Sequence, residues 1–283
     1  MRNSEPISTG FASASAPEVL YHYASIGALE SILRSKTAWA THVAFMSDSQ
    51  EFQYALEVMQ SVIEERQSHA PQVANYLEFL SAVVANAAAN LLEKSFFAFC
   101  LSAKGDLLSQ WRSYCPSEGG YSIGFKKSDL ESIFKPQNFD IGPCVYGERF
   151  QREFVAALLQ DYEDRFRESG HVPMLDVRVD LELLPLMMKH PGFFEEQEWR
   201  AFSEPNVGEE WHYHISKGRA VPHWELKLAS SENLVPIAEI IVGPCQEQEL
   251  ARVGIRRMLV NRGYAREEVN KIVKSSTIPY RTP

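Results

Sequence analysis

The sequence lacks the signature motifs of several common enzyme classes. It contains no GxxxxGK[ST] or GxGxxG phosphate-binding loop, and the pair Gly119 and Gly120 has the spacing of neither. GxSxG, HExxH and EF-hand loops are also missing, so no motif indicates a serine hydrolase, a zinc protease or a calcium sensor. P-loop, kinase and Rossmann-type functions therefore have no support from the motifs.

Cysteines are few, and basic residues are fewer than acidic ones. The four cysteines are widely spaced without a CxxC pair, which argues against a zinc cluster or a thioredoxin-type motif and is typical of reduced thiols. Lys and Arg number 28 against 37 Asp and Glu, and the resulting charge of −9 disfavours long-range attraction to nucleic acid, although a local basic patch stays possible. His212 and His214 alternate too closely to predict a metal site, so we expect no metal cofactor.

Long apolar runs are also missing from the sequence. None approaches the ~20 residues that span a bilayer, and the N-terminus has neither the charged nor the apolar region of a signal peptide. We therefore expect a cytoplasmic protein with no membrane partner. The oligomeric state cannot be read from the sequence.

The organisation predicted from the sequence is a flexible arm, 1–17, followed by one α+β domain, 18–283. The arm is rich in Ser, Ala and Pro without apolar periodicity. Because strands and helices do not alternate regularly, we expect a central mixed or antiparallel sheet flanked by helices, with the helices at 74–92 and 145–167 as insertions. The predicted strands are 19–23, 37–42, 95–101, 121–125, one around Glu198, 224–228 and 237–242. The other predicted helices are 26–33 (capped by Ser25), 50–59, 107–115, 181–189 and 247–262.

The most informative stretch is the acidic run from Phe193 to Arg200. In a strand, Glu196, Glu198 and Arg200 would share one face, with the two carboxylates about 7 Å apart. Such a set could bind a ribose diol, or its members could pair with one another. A charged edge strand that blocks sheet association is the structural alternative.

Two further features suggest a ligand site. His22 stands at a strand-to-helix junction, where its imidazole could bond to a ribose hydroxyl or a carboxamide, or else to neighbouring backbone. Trp111 and Tyr114 lie three residues apart on a predicted helix, so they share a face that could stack on a planar ring or belong to the core.

The order of these motifs resembles a bacterial family of unknown function, the domain numbered twenty-nine seventy-one of that series. The resemblance spans most of residues 19 to 245, and its second motif departs from the pattern, with Ser47 where the family often has Asn. The motifs are, in order, Leu20-Tyr21-His22-Tyr23, Asp48 to Phe52, Trp111 with Tyr114, Gly120 with Ile123-Gly124-Phe125, Glu196 to Arg200, and Ile241 to Pro244.

The layout is also similar to that of distant ADP-ribosyltransferases of the His-Tyr-Glu class. This resemblance implies an ADP-ribosyltransferase-like fold, with His22 and Ser25 among the NAD-binding residues. Glu198 would hold the nicotinamide-side ribose and stabilise the cationic transition state. Either Tyr114 or Tyr121 would stack on nicotinamide, Arg200 would assist NAD binding, and Glu196 would orient an acceptor.

Two functional hypotheses follow. The first is an NAD-dependent ADP-ribosyltransferase-like enzyme, a toxin or defence effector that acts on an unknown protein or nucleic-acid acceptor. The second is a non-enzymatic binding or regulatory module of a bacterial defence system, in which Glu196, Glu198 and Arg200 form a structural ion network. The enzyme hypothesis predicts that His22 and Glu198 open into one pocket, whereas side chains on opposite faces would favour the module.

Overall fold

The computed structural model describes residues 16–46, 49–69, 73–93, 95–115, 119–169, 174–203 and 211–279. Nearly all of the predicted arm lies outside these ranges, as do Ser47 and Asp48. The strands are β1 Val19–Ala24, β2 Thr37–His42, β3 Phe97–Ser102, β4 Tyr121–Lys126, β5 Phe139–Pro143, β6 Glu198–Ser203, β7 His212–Ser216, β8 Arg219–Lys227, β9 Ile237–Val242 and β10 Val273–Ser275. The α-helices are α1 Ile26–Ser35, α2 Ser49–His69, α3 Ala74–Ala89, α4 Leu108–Tyr114, α5 Lys127–Phe134, α6 Glu148–Ser169, α7 Met174–Met187, α8 Gln248–Asn261 and α9 Arg266–Ile272.

All ten described strands belong to one mixed sheet. Its main path runs β10-β9-β4-β1-β3-β2-β8-β7, and β6 and β5 branch from β3. The β9–β10 pair is parallel and the other strand pairs are antiparallel. The expected α+β class, with a large sheet flanked by helices, is confirmed.

The sheet splits at β3. Along one edge β3 pairs with β6 from Ala98 to Ser102. On the other edge β1 pairs with it at Ser102, whereas β2 pairs with it at Ala98 and Phe97. Because β1 and β2 meet opposite ends of the same edge, the two strands diverge around Cys100 and create a gap in the sheet.

Two hydrophobic cores lie on the two faces of the sheet. Alternation along β3 directs Phe97, Phe99 and Leu101 into the core beneath α1, α5 and α8. Ala98 and Phe202 contribute instead to the core formed by α2, α3, α6 and α7. The described helices include none that is both long enough and apolar enough to cross a membrane.

Most predicted elements near the gap are confirmed, and two need correction. The strands at 37–42 and 237–242 have the predicted bounds, and Ser25 caps α1 by accepting a hydrogen bond from the Ala28 amide. Glu196 is not in a strand, because Gln197 adopts a left-handed conformation (φ 44°) that separates the 3-10 helix Pro191–Glu196 from β6. The helix predicted from Val145 begins at Glu148, because Val145 forms a parallel bridge with Met188.

Candidate functional site

A cavity of about 250 Å³ lies at the gap in the sheet. It is bounded by residues from β1, β2, β3, β6, β7 and β8, from the end of α4 and from the turn that follows β2. The side chains most relevant to ligand binding are His22, Trp39, Thr41, Tyr114, Glu198 and His214. A smaller cavity of about 40 Å³ shares His22, Cys100, Tyr114 and Glu198 with the first and adds Glu196.

Glu198 belongs to a buried ion network beside the cavities. Its Oε1 accepts a hydrogen bond from Arg200 Nε at 2.8 Å, and its Oε2 accepts one from Lys189 Nζ at 2.7 Å. Lys189 also donates to Glu196 at 2.7 Å, and Arg200 donates to Glu51 at 3.0 Å. Among the contacts described here, three carboxylates (Glu51, Glu196 and Glu198) surround two cations, Lys189 and Arg200.

These neighbours determine the charge state of Glu198. Burial by itself would raise the pKa of the carboxyl, but Arg200 and Lys189 outweigh that effect and lower the pKa to about 2. Burial would likewise lower the pKa of Lys189, yet the Glu198 carboxylate reverses the effect and raises the pKa above its ordinary value. The pair is therefore ionised at neutral pH.

Local chain geometry brings the carboxylates together. Lys189 follows α7 and is fully buried. Its ammonium group reaches Glu196 and Glu198 on either side of the left-handed Gln197. The Glu198 amide donates to the Tyr146 hydroxyl at 2.7 Å, which fixes the start of β6. A backbone bend, and not strand alternation, therefore places the two carboxylates on one ammonium group.

His22 stands at the gap between β1 and β2. Its Nδ1 lies 3.0 Å from the Cys100 carbonyl oxygen, and its ring packs against Phe99 with 4.5 Å between centroids. A carbonyl can only accept, so Nδ1 carries the proton of this hydrogen bond. Burial lowers the pKa of His22 despite that bond, so the ring is neutral at pH 7 and its Nε2 can accept a hydrogen bond from a ligand.

Tyr114 joins the aromatic and acidic parts of the cavity wall. It ends α4 with 40% of its surface exposed, and its hydroxyl lies 3.4 Å from Glu196 Oε2. Burial, followed by the nearby Glu196 charge, raises the pKa of the phenol far above its ordinary value. The side chain is therefore a neutral aromatic ring with a hydroxyl donor.

The other residues predicted for the site lie outside the linings of both cavities. Ser25 caps α1, and Tyr121 lies in β4 opposite Ala24. Arg200 is buried behind Glu198. The structure thus brings together His22, Tyr114, Glu198 and Glu196, the first three at both cavities and Glu196 at the smaller one.

Several side chains of the site were missed by the sequence analysis. Lys189 was detectable, because a lone Lys directly after the apolar run 183–188 is unusual. Glu51 lies in the motif Asp48 to Phe52, but its pairing with Arg200 had no local signal, because the two residues are 149 positions apart. Trp39 and His214 lie in separate strands, and only the sheet order places them at one cavity.

Neither a thiol nucleophile nor a metal centre is indicated at this site. Burial and the Glu198 charge raise the pKa of Cys100 well above its ordinary value, so the thiol stays protonated. All four cysteines are free. Within the described ranges, no group of three or more His, Cys, Asp or Glu side chains is arranged to hold a metal ion.

Residues 110–201 match a family described as "Protein of unknown function (DUF2971)". This match supports the family resemblance drawn from the motifs. It covers α4 to β6, including Tyr114, Lys189, Glu196 and Glu198, whereas His22 and Trp39 lie outside it. No curated protein and no solved structure matches the chain.

Proposed function

We propose that this protein is an NAD-dependent ADP-ribosyltransferase-like enzyme, with NAD as its substrate. The supporting observation is that His22, Tyr114 and Glu198, from β1, α4 and β6, line the same two cavities at the gap in the sheet. A neutral imidazole, a neutral phenol ring and an ionised carboxylate together can contact an amide, an aromatic ring and a ribose.

Each of these side chains has a distinct role in the proposal. His22 Nε2 accepts a hydrogen bond from a ribose hydroxyl or the carboxamide, and Tyr114 stacks on nicotinamide. Glu198 binds the ribose hydroxyl and stabilises positive charge on the ribose as the bond to nicotinamide breaks and its electron pair leaves with nicotinamide. The acceptor then bonds to the ribose carbon and releases a proton.

The cavity fits part of NAD better than the whole dinucleotide. Cavities that hold drug-sized ligands measure about 300–1,000 Å³, and the larger cavity here is about 250 Å³. Neither described lining includes Lys or Arg, so the walls offer no cation to the pyrophosphate. The carboxylates of Glu196 and Glu198 suit the positively charged nicotinamide end, and the pyrophosphate would lie outside the enclosed volume.

Glu196 is placed to act on the acceptor side of the reaction. It lines the smaller cavity, next to Tyr114 and close to Glu198. A carboxylate at this position can orient a protein side chain or a nucleic-acid group that attacks the ribose. We propose that the physiological role is that of a cytoplasmic bacterial toxin or defence effector with such an acceptor.

A second candidate, a non-enzymatic binding or regulatory module, is favoured by the bonding of Glu198. Its two oxygens already accept from Lys189 and Arg200, three hydrogen bonds in all. A carboxylate has about four acceptor positions, so little capacity remains for a ribose hydroxyl. In this alternative the network stabilises the sheet and the cavity binds a ligand without turnover.

Nicotinamide release distinguishes the two candidates. Purified protein is incubated with NAD, and nicotinamide is followed by chromatography with Glu198→Gln as the matched variant. The enzyme proposal predicts release that depends on Glu198. Tight NAD binding with no release, even with cell extract as a source of acceptor, would favour the binding module.

A further inference from the structure

Trp39 is the most exposed large aromatic side chain of the larger cavity. It lies in β2, keeps 45% of its surface exposed and lines the same cavity as Glu198. A single exposed aromatic side chain on a protein surface needs no functional explanation. This one differs because its exposed surface is part of a cavity wall that also carries an ionised carboxylate.

Two histidines fix the plane of the indole. The His214 ring lies 4.8 Å from Trp39 between centroids, at an interplanar angle of 28°, and the His223 ring lies 4.3 Å away at 34°. The two Nδ1 atoms of these histidines are 3.3 Å apart, so one imidazole donates to the other. Trp39 and His214 form an aromatic surface at the edge of the cavity, and the buried His223 packs against both rings.

This aromatic surface is electrically neutral. Burial lowers the pKa of His214, and burial together with His214 lowers the pKa of His223, so both rings are uncharged at neutral pH. Thr41, from the same strand, adds a hydroxyl group to the cavity wall. The surface can therefore stack on the face of a planar ring that carries no charge.

The aromatic and acidic ends of the cavity are separated by two strand spacings of the sheet. Glu198 is in β6 and Trp39 is in β2, the strands on opposite edges of β3. Adjacent strands are about 4.8 Å apart, which places these two strands roughly 10 Å apart. One ligand with two ring systems could contact both ends.

We propose that Trp39 is the stacking surface for an uncharged heteroaromatic ring, the adenine base of a nucleotide ligand. That the base is adenine rests on the proposed function, whereas the preference for a neutral planar ring follows from the cavity wall. The positively charged nicotinamide ring is attracted to the other end, where the carboxylates of Glu196 and Glu198 line the cavities.

Binding of two half-ligands tests this proposal. AMP carries the base without nicotinamide, and nicotinamide mononucleotide carries the other half. Saturation-transfer NMR, which detects millimolar binding, compares both with the wild type, Trp39→Leu and Trp39→Phe. Leu keeps an apolar side chain against His223 but removes the ring, and Phe keeps a smaller ring. Tyr213→Leu is the matched control, because Tyr213 is an exposed aromatic residue on β7 outside the described cavity linings.

Trp39→Leu should weaken AMP and NAD binding roughly 5- to 150-fold, the range for loss of one base–aromatic stack. Trp39→Phe should retain most of the affinity, and Tyr213→Leu should bind as the wild type does. Nicotinamide mononucleotide should bind equally to all variants. Wild-type protein that does not bind AMP at millimolar concentration, or Trp39→Leu with unchanged AMP affinity, would overturn the inference.

The same measurements separate this inference from the proposed function. AMP binding that depends on Trp39, without binding of NAD or nicotinamide mononucleotide, would retain the stacking surface and reject the NAD enzyme. NAD binding that depends on His22 but not on Trp39 would retain the NAD site and reject the stacking surface. Loss of nicotinamide mononucleotide binding in Trp39→Leu, with AMP unaffected, would assign Trp39 to the charged ring and overturn the inference.

Discussion

Replacing Glu198 by Gln tests the ion network and the proposed chemistry together. The substitution keeps the size of the side chain but removes the charge that bonds to Lys189 and Arg200. Breaking a buried ion pair costs about 3–5 kcal/mol. We expect a value near the lower end, about 3 kcal/mol, because Glu51 and Glu196 still contact the two cations.

The loss of stability should be visible in a thermal melt. For domains of about 150–250 residues, each kcal/mol shifts Tm by about 2–4 °C, so Glu198→Gln should melt roughly 6–12 °C below the wild type. Glu131→Gln is a matched control, because it removes an ion pair with Lys127 on the helix surface. Surface pairs contribute little, and its Tm should match that of the wild type.

Turnover of Glu198→Gln should fall further than the loss of folded protein explains. Measured well below the Tm and normalised to folded enzyme, nicotinamide release should drop roughly 10²-fold, the effect of removing one preorganised electrostatic group. Full turnover in folded Glu198→Gln would remove Glu198 from the mechanism. An unchanged Tm would refute the reasoning about the ion network.

Three other variants or conditions test particular contacts. Lys189→Met removes the ammonium group that contacts Glu51, Glu196 and Glu198, three carboxylates at once. It should therefore destabilise the protein more than Glu198→Gln does, by about 4–5 kcal/mol in urea unfolding, and an equal or smaller loss would contradict this reasoning. His22→Ala should weaken NAD binding roughly 2- to 150-fold, because one or two hydrogen bonds to NAD are lost. Unchanged NAD affinity in a folded variant would show that His22 bonds only to the Cys100 carbonyl. Stability should decrease in acid in two stages. Below pH 6.5 the unfolded chain protonates before His22, His214 and His223 of the folded protein, whose pKa values are lowered. Below pH 4.5 the contribution of Glu198 is lost as the pH falls towards about 2. A Tm that is constant from pH 7 to pH 5 would contradict the first stage.

The strands and helices that form locally were largely predictable. The apolar run at 95–101 predicted a central strand, and β3 is indeed buried between three partners. Ser25 and the helical periodicity that follows it predicted α1. These predictions succeeded because periodicity and capping depend on near neighbours in the chain.

The candidate site could be predicted only in part. Glu196 and Glu198 were singled out, but their placement on one strand was wrong because nothing in the sequence indicated a left-handed Gln197. Their contacts with Lys189 depend on that bend. The gap between β1 and β2, and hence the position of Trp39 at the cavity, depends on strand order, which the periodicity of single segments does not determine.

Calorimetric titration of the full chain with NAD tests the central claim most directly. It needs no acceptor, so a missing target cannot hide a positive result. The account predicts saturable binding of one NAD per chain, weakened by His22→Ala and unaffected by the surface variant Glu131→Gln. No heat of binding at millimolar NAD, or binding that His22→Ala leaves unchanged, would contradict an NAD site at the gap in the sheet.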